Sequence, residues 1–192
     1  MKIAEDGEIL IRSRKAFHGY YKLPEETAHA LIDGWFHTGD IGFLDSEGFL
    51  HITDRKKDLI KTSGGKYVAP QKLEKIAKVF PQISEIVVYG DQRKYITALI
   101  TLNREIVLQY ANEHEILFSE YSELIKHPKI LGWVEKTIGE VNKQLASYET
   151  IKKFMILPID FTIEGGELTP SLKIRRKVIQ ERYRDELDRL YS

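Results

Sequence analysis

The chain has 192 residues, with 29 basic and 29 acidic side chains; the formal charge is zero at pH 7, so no basic excess argues for a nucleic-acid partner. Cysteine is absent, which excludes disulfides and thiolate metal sites and fits a reducing compartment. No apolar run approaches the roughly 18 residues of a membrane span, and 42% hydrophobic with 30% charged residues is the balance of a soluble protein with a packed core, expected in the cytoplasm. The length fits one ordinary domain, or a small domain plus a piece of another.

In chain order, residues 8–12 read as a strand. The following 30 residues supply it with few pairing partners, so roughly the first 50 residues are expected to be the tail of a larger domain. Pro24, Glu25 and Glu26 have the character of a helix start, predicting a short helix to residue 32. Asp33-Gly34 is a turn, residues 35–38 are extended, and strands 41–44 and 48–53 flank a hairpin turn at Asp45-Ser46-Glu47-Gly48. Thr62-Ser63-Gly64-Gly65-Lys66 reads as a flexible loop, followed by a helix over 70–79 with Leu73, Ile76, Ala77 and Phe80 at helical spacing. Strands are predicted at 85–89 and 95–102. Asn103 is placed to cap a helix through 113, and Pro128 to begin a longer one whose stripe of Leu131, Val134, Ile138, Val141 and Leu145 reads as core. A strand at 154–159, a loop at 165–170 and one charged helix over 174–191 complete the chain. Within that last helix Glu181 and Asp185 repel at i,i+4. Strands and helices in mixed order, with hairpins, predict an α+β fold.

Four polar stretches between these elements carry candidate chemistry. In His37-Thr38-Gly39-Asp40, a carboxylate just after a glycine is suited to accepting hydrogen bonds from two neighbouring hydroxyls, as on a ribose. Arg55, just beyond a strand, presents a fork for a hydroxyl or phosphate. Ser63-Gly64-Gly65-Lys66 lets backbone approach a ligand closely, although it lacks the spacing of a phosphate-binding P-loop. Lys173, on a glycine-led loop ahead of a helix, is placed to stabilise developing negative charge. On local pattern alone an ordinary turn or a solvated charge cluster is the default reading of such stretches, and only for Lys173 does a cation at a helix start tilt it the other way.

Taken together and in order, these stretches resemble a known family. Gly7-Glu8-Ile9-Leu10-Ile11-Arg12 followed by Gly19-Tyr20-Tyr21, Trp35-Phe36-His37-Thr38-Gly39-Asp40, and Asp54-Arg55-Lys56-Lys57-Asp58-Leu59-Ile60-Lys61 through Gly64-Gly65-Lys66 to Pro70 and Leu73-Glu74 are similar to successive motifs of the adenylate-forming superfamily, specifically AMP-forming acyl-CoA synthetases. The ending Leu168-Thr169-Pro170-Ser171-Leu172-Lys173-Ile174-Arg175-Arg176 has Leu172 where most of that superfamily has glycine. That departure, with the long helical segment 103–147, resembles the long-chain fatty-acid branch.

The resemblance implies a β-rich tail of a large N-terminal domain over 1–54, a hinge over 55–57, and a small mobile C-terminal lid over 58–192, a short mixed sheet flanked by helices with a helical insertion. It implies that Asp40 and Arg55 hold the ribose of ATP, that Lys57 is the hinge residue, and that Gly64, Gly65 and Lys66 lie on the CoA side. Lys173 would be the catalytic lysine bridging carboxylate and α-phosphate. ATP, Mg2+, CoA and a fatty acid are the implied small molecules, and the chain's own N-terminal domain the implied partner, with peripheral membrane contact left open. The whole would be a long-chain fatty-acid–CoA ligase, and this segment alone would be inactive. Two alternatives stand beside it: a non-catalytic nucleotide- or partner-binding module with the lid fold, and an adenylation domain that loads a carrier protein.

Overall fold

The computed structural model describes residues 1–192, which divide into two units, Met1–Leu59 and Ile60–Ser192. The first unit contains β1 (Lys2–Ile3), β2 (Glu8–Ile11), α1 (Pro24–Ala30), β3 (Leu31–Ile32), β4 (Trp35–Leu44) and β5 (Leu50–Arg55), followed by a 3-10 turn at Lys56–Asp58. Its sheet runs β1-β2-β4-β3 with β5 paired to β4, and every pair is antiparallel. The predicted strand at 8–12 therefore has partners on both sides, β1 and β4, and the extended segments predicted at 35–38 and 41–44 are one continuous β4. The helix expected to reach residue 32 stops at Ala30. The reason is the Asp33-Gly34 turn: both residues have positive φ, 50° and 75°, the conformation of a two-residue hairpin. It folds Leu31 and Ile32 back onto Phe36 and Trp35.

The second unit contains β6 (Ile60–Lys61), β7 (Tyr67–Val68), α2 (Pro70–Ala77), β8 (Ile83–Tyr89), β9 (Ile96–Leu102), α3 (Arg104–Glu113), α4 (Tyr121–Leu124), α5 (Pro128–Asn142), β10 (Ile151–Ile156), α6 (Arg176–Arg182) and α7 (Arg184–Arg189). The main sheet runs β10-β9-β8, with β8 antiparallel and β10 parallel to β9. Every residue of β9 is buried. Because strand side chains alternate between faces, Ile86, Val88, Ala98 and Ile100 meet Leu73, Ala77, Val134 and Val141 on one side, whereas Val87 and Leu99 meet Leu157, Phe161, Ile179 and Leu187 on the other. Two apolar layers thus cover the sheet, α2 and α5 on one face and α6 and α7 on the other. The parallel β9–β10 pair also accounts for the helical segment 103–147, since parallel neighbours need a long crossover.

Asn103 caps α3 as its position predicts, its side chain accepting from the Ile106 N–H. The α5 stripe is buried at Val134, Ile138 and Val141, but it begins at Ile130, not Leu131. Two other predictions are corrected. The strand expected at 154–159 is β10, three residues earlier: exposed Lys152 and Lys153 mask its start in the sequence, and Pro158, which has no N–H to donate, ends the ladder. The single terminal helix is two, α6 and α7, broken at Tyr183 (φ −106°, ψ 29°) inside the turn where Glu181 and Asp185 would repel. No helix of the chain is long and apolar enough to cross a membrane.

Candidate functional site

In the first unit the antiparallel register sets Asp40 directly opposite Arg55. Arg55 Nε lies 3.0 Å from Asp40 Oδ1, and its Nη1 donates to the Thr38 carbonyl at 3.3 Å. Both side chains remain open to solvent, 53% and 28% exposed, so the pair is accessible to a ligand. Gly39, between Thr38 and Asp40, has φ 71°, a left-handed conformation that glycine enters without a Cβ clash. Thr38 Oγ1 fixes this turn-like irregularity within β4 on both sides, donating to the Ile9 carbonyl at 2.8 Å and accepting the Asp40 N–H at 3.1 Å.

Sequence reasoning gave no role to the residue that organises this turn. Glu8 is buried, 4% exposed, yet its carboxylate accepts the Gly39 N–H at 3.0 Å and the Lys56 ammonium at 2.9 Å, and meets His37 Nδ1 at 3.0 Å. Burial alone pushes the Glu8 carboxyl up; the hydrogen bonds from Lys56, His37 and the Gly39 N–H outweigh it and hold the group below its ordinary value. Lys56 also bonds Asp6 at 2.7 Å, and these two carboxylates raise the lysine. The one signal in the sequence was a charge inside the apolar run Glu8-Ile9-Leu10-Ile11. Beside the turn lies an open cavity of about 470 Å³, lined by Tyr20, Leu23, His29, His37, Thr38 and Gly39. Lys57 sits exposed in the 3-10 turn that follows.

In the second unit Gly64, Gly65 and Lys66 share one exposed turn. It is a hydrogen-bonded connection closing the β6–β7 pair. Buried Thr62 orders it: the Thr62 N–H donates to the Lys66 carbonyl at 2.9 Å, and Oγ1 accepts the Lys66 N–H at 3.2 Å. The Ser63 N–H reaches the Arg93 carbonyl at 2.9 Å, tying the turn to the β8–β9 connection. Lys66 extends over the Tyr148 ring at 5.9 Å.

Lys173 stands on a separate turn. The Thr169 N–H donates to its carbonyl at 2.8 Å, and its own N–H donates to Thr169 Oγ1 at 3.0 Å, while Leu168 and Ile174 form a bridge at the base. Its ammonium is exposed and joins no ion pair. On the glycine side, buried Glu167 pairs with Arg182, and Arg182 Nη2 donates to the Gly165 carbonyl at 2.7 Å. Arg176 forms a two-pronged bond with Glu74 on α2. The structure therefore joins Asp40 with Arg55 and gathers Gly64 to Lys66, while Lys57 and Lys173 each stand alone. No cluster of three or more His, Asp or Glu side chains has the geometry to hold a metal ion.

Residues 57–192 match the family model for the AMP-binding enzyme C-terminal domain. The chain belongs to that family. The chain is 39% identical, along its whole length, to 32% of the long-chain-fatty-acid–CoA ligase FadD15 of Mycobacterium tuberculosis. It is also 36% identical, over 97% of the chain, to 28% of the long-chain-fatty-acid–CoA ligase ACSBG1 of Rattus norvegicus. Among solved structures, the adenylation domain of a carboxylic acid reductase from Segniliparus rugosus, in complex with AMP and a co-purified carboxylic acid, superposes with a TM-score of 0.76 at 30% identity, covering 96% of this chain and 28% of that one. The corresponding domain from Mycobacterium chelonae gives a TM-score of 0.75 at 31% identity, over 96% and 27%. The chain spans about a third of the length of the curated relatives it matches. Their shared fold is α+β, as the order of elements predicts.

Proposed function

We propose that this chain is the C-terminal part of an AMP-forming long-chain fatty-acid–CoA ligase, comprising the end of the large domain (1–54), a hinge at 55–57 centred on Lys57, and a lid (58–192). The observation that carries the reading is the accessible Asp40–Arg55 pair, in the same chain as an ammonium, Lys173, that has no internal partner. Asp40 is suited to accept from two ribose hydroxyls while Arg55 orients its carboxylate. Lys173 supplies positive charge where it develops in the first step: a carboxylate oxygen attacks the α-phosphorus of ATP, and the bond to the bridging oxygen breaks to release pyrophosphate. Rotation about Lys57 then presents the Gly64-Gly65-Lys66 turn. In the second step the CoA sulfur attacks the acyl carbon, AMP leaves with the bonding electrons, and the thiol proton passes to solvent. The Mg2+ that the family resemblance implies would accompany the nucleotide. The lack of cysteine fits a cytoplasmic setting.

The relatives' names favour free CoA over a carrier protein as acceptor. The test is a product assay on the full-length protein with ATP, CoA and fatty acids of graded length. The reading predicts AMP, pyrophosphate and a long-chain acyl-CoA in equal amounts. Acyl-adenylate that is passed only to a carrier protein supports the carrier-loading alternative, and nucleotide binding without turnover supports the non-catalytic module.

A further inference from the structure

The Lys173 turn is shaped by its own short-range bonds, which do not fix its place on the lid. A stronger attachment lies three positions further on. Arg176 opens α6, and its Nη1 and Nη2 donate to Glu74 Oε1 and Oε2 at 2.8 and 2.9 Å across a separation of 102 residues. Nη1 also donates to the Val88 carbonyl at 3.2 Å, and Glu74 Oε1 accepts the Val88 N–H at 2.9 Å. The two side chains are only 18% and 8% exposed. One planar fork thus ties the end of the Lys173 turn both to edge strand β8 and to α2, the helix that follows the Gly64-Gly65-Lys66 turn.

A buried ion pair contributes little net stability compared with apolar residues of the same shape, so stability alone is a poor account of this one. Its geometry is more informative. Two parallel bonds fix direction as well as distance, which a lysine at the same place does not do. We propose that Arg176 and Glu74 are a positioning pair for Lys173: they set where the lysine turn sits on the lid and keep it in fixed relation to the helix behind the glycine turn. The proposal rests on the adenylation role given to Lys173 above.

The test uses Arg176→Lys, which keeps the charge and removes the fork, in the full-length protein. Pyrophosphate release is followed with ATP and fatty acid, and thioester formation is followed from supplied acyl-adenylate and CoA. Misplacement of Lys173 lowers kcat for pyrophosphate release by roughly 10- to 100-fold, with KM for ATP little changed. Thioester formation survives, which also shows that the lid is folded. Glu74→Gln gives the same selective loss, and adding Arg176→Lys to Lys173→Ala slows pyrophosphate release no further. Wild-type pyrophosphate release by Arg176→Lys, equal loss of both half-reactions in both variants, or a further loss in the double variant overturns the positioning role. Unchanged release by Lys173→Ala overturns the lysine assignment itself, and the pair's role with it.

Discussion

Leu172 has φ 58° with its side chain 66% exposed, so it occupies a left-handed conformation with no burial to offset the Cβ crowding. This is the backbone that glycine favours, at a position where the resembled motif has glycine, and it immediately precedes Lys173. Leu172→Val, adding a branch at Cβ to a residue that already bears the left-handed cost, is expected to destabilise the protein by about 1 kcal/mol. Leu172→Gly should stay within about 1 kcal/mol of wild type, because relief of strain is offset by a freer unfolded chain; urea unfolding of both variants checks this. Glu8 gives the second prediction at this scale. Its carboxyl and that of Asp6 are held below their ordinary values by the Lys56 ammonium, acting in Glu8 against the upward push of burial. Just below the ordinary carboxyl range the unfolded chain therefore binds more protons than the folded one. The stability these groups contribute is complete above that range and is lost as pH falls through the depressed values. Glu8→Gln should reduce stability at neutral pH by about 2 kcal/mol and flatten its acid dependence, read as denaturation midpoints between about pH 6 and pH 3. Asp40 and Arg55 were legible as candidates because one follows a glycine and the other a predicted strand end at Thr53, although both lie inside strands, β4 and β5. Their pairing was not, since it depends on a hairpin register that places residues 15 positions apart face to face. Glu8 escaped for a related reason: nothing local shows that a strand glutamate turns inward to collect the Gly39 N–H and Lys56.

The elements that sequence reasoning placed well carry local signals. Asn103 before α3 and Pro128 at the start of α5 are examples, because caps and first-turn prolines act within a few residues. Elements decided by distant partners were misplaced. β10 begins where the parallel ladder to Ile96 begins, and β3 exists because the Asp33-Gly34 turn brings it to β4. The split between α6 and α7 belongs to this scale too, and it leads to Tyr191. The Tyr191 hydroxyl meets Thr97 Oγ1 at 3.0 Å and shares its one proton between the carbonyls of Tyr89 and Tyr95 at 3.1 and 3.2 Å, while the Tyr95 hydroxyl donates to the Leu190 carbonyl at 2.9 Å. The chain end is thereby clasped to the β8–β9 hairpin. Burial pushes the Tyr191 phenol up to about 12. Folding favours the neutral form, so this contribution is complete below the ordinary tyrosine value of about 10 and is lost as pH rises towards 12. Tyr191→Phe should lower stability at pH 7 by about 1 kcal/mol and weaken the alkaline loss, measured as thermal midpoints across that range. An unchanged midpoint at pH 7 would mean that the clasp contributes packing alone.

At the scale of the whole molecule, the α+β class followed from the order of elements, and the family from motifs spread along nearly the entire chain. Neither required tertiary detail. The placement of the candidate residues did require it: one unit holds the Asp40–Arg55 pair, while the other carries the Gly64-Gly65-Lys66 turn and the Lys173 turn on separate connections. Two separate turns in one unit fit the proposed protein, whose half-reactions would use different parts of the same small domain, the central claim of the proposal. Separating the half-reactions in the full-length protein carrying Lys173→Ala tests it most directly. Pyrophosphate release from ATP and a long-chain fatty acid should fall by about 10²-fold or more, while thioester formation from supplied acyl-adenylate and CoA continues near the wild-type rate. Pyrophosphate release that is unchanged, or both half-reactions falling together, would contradict it.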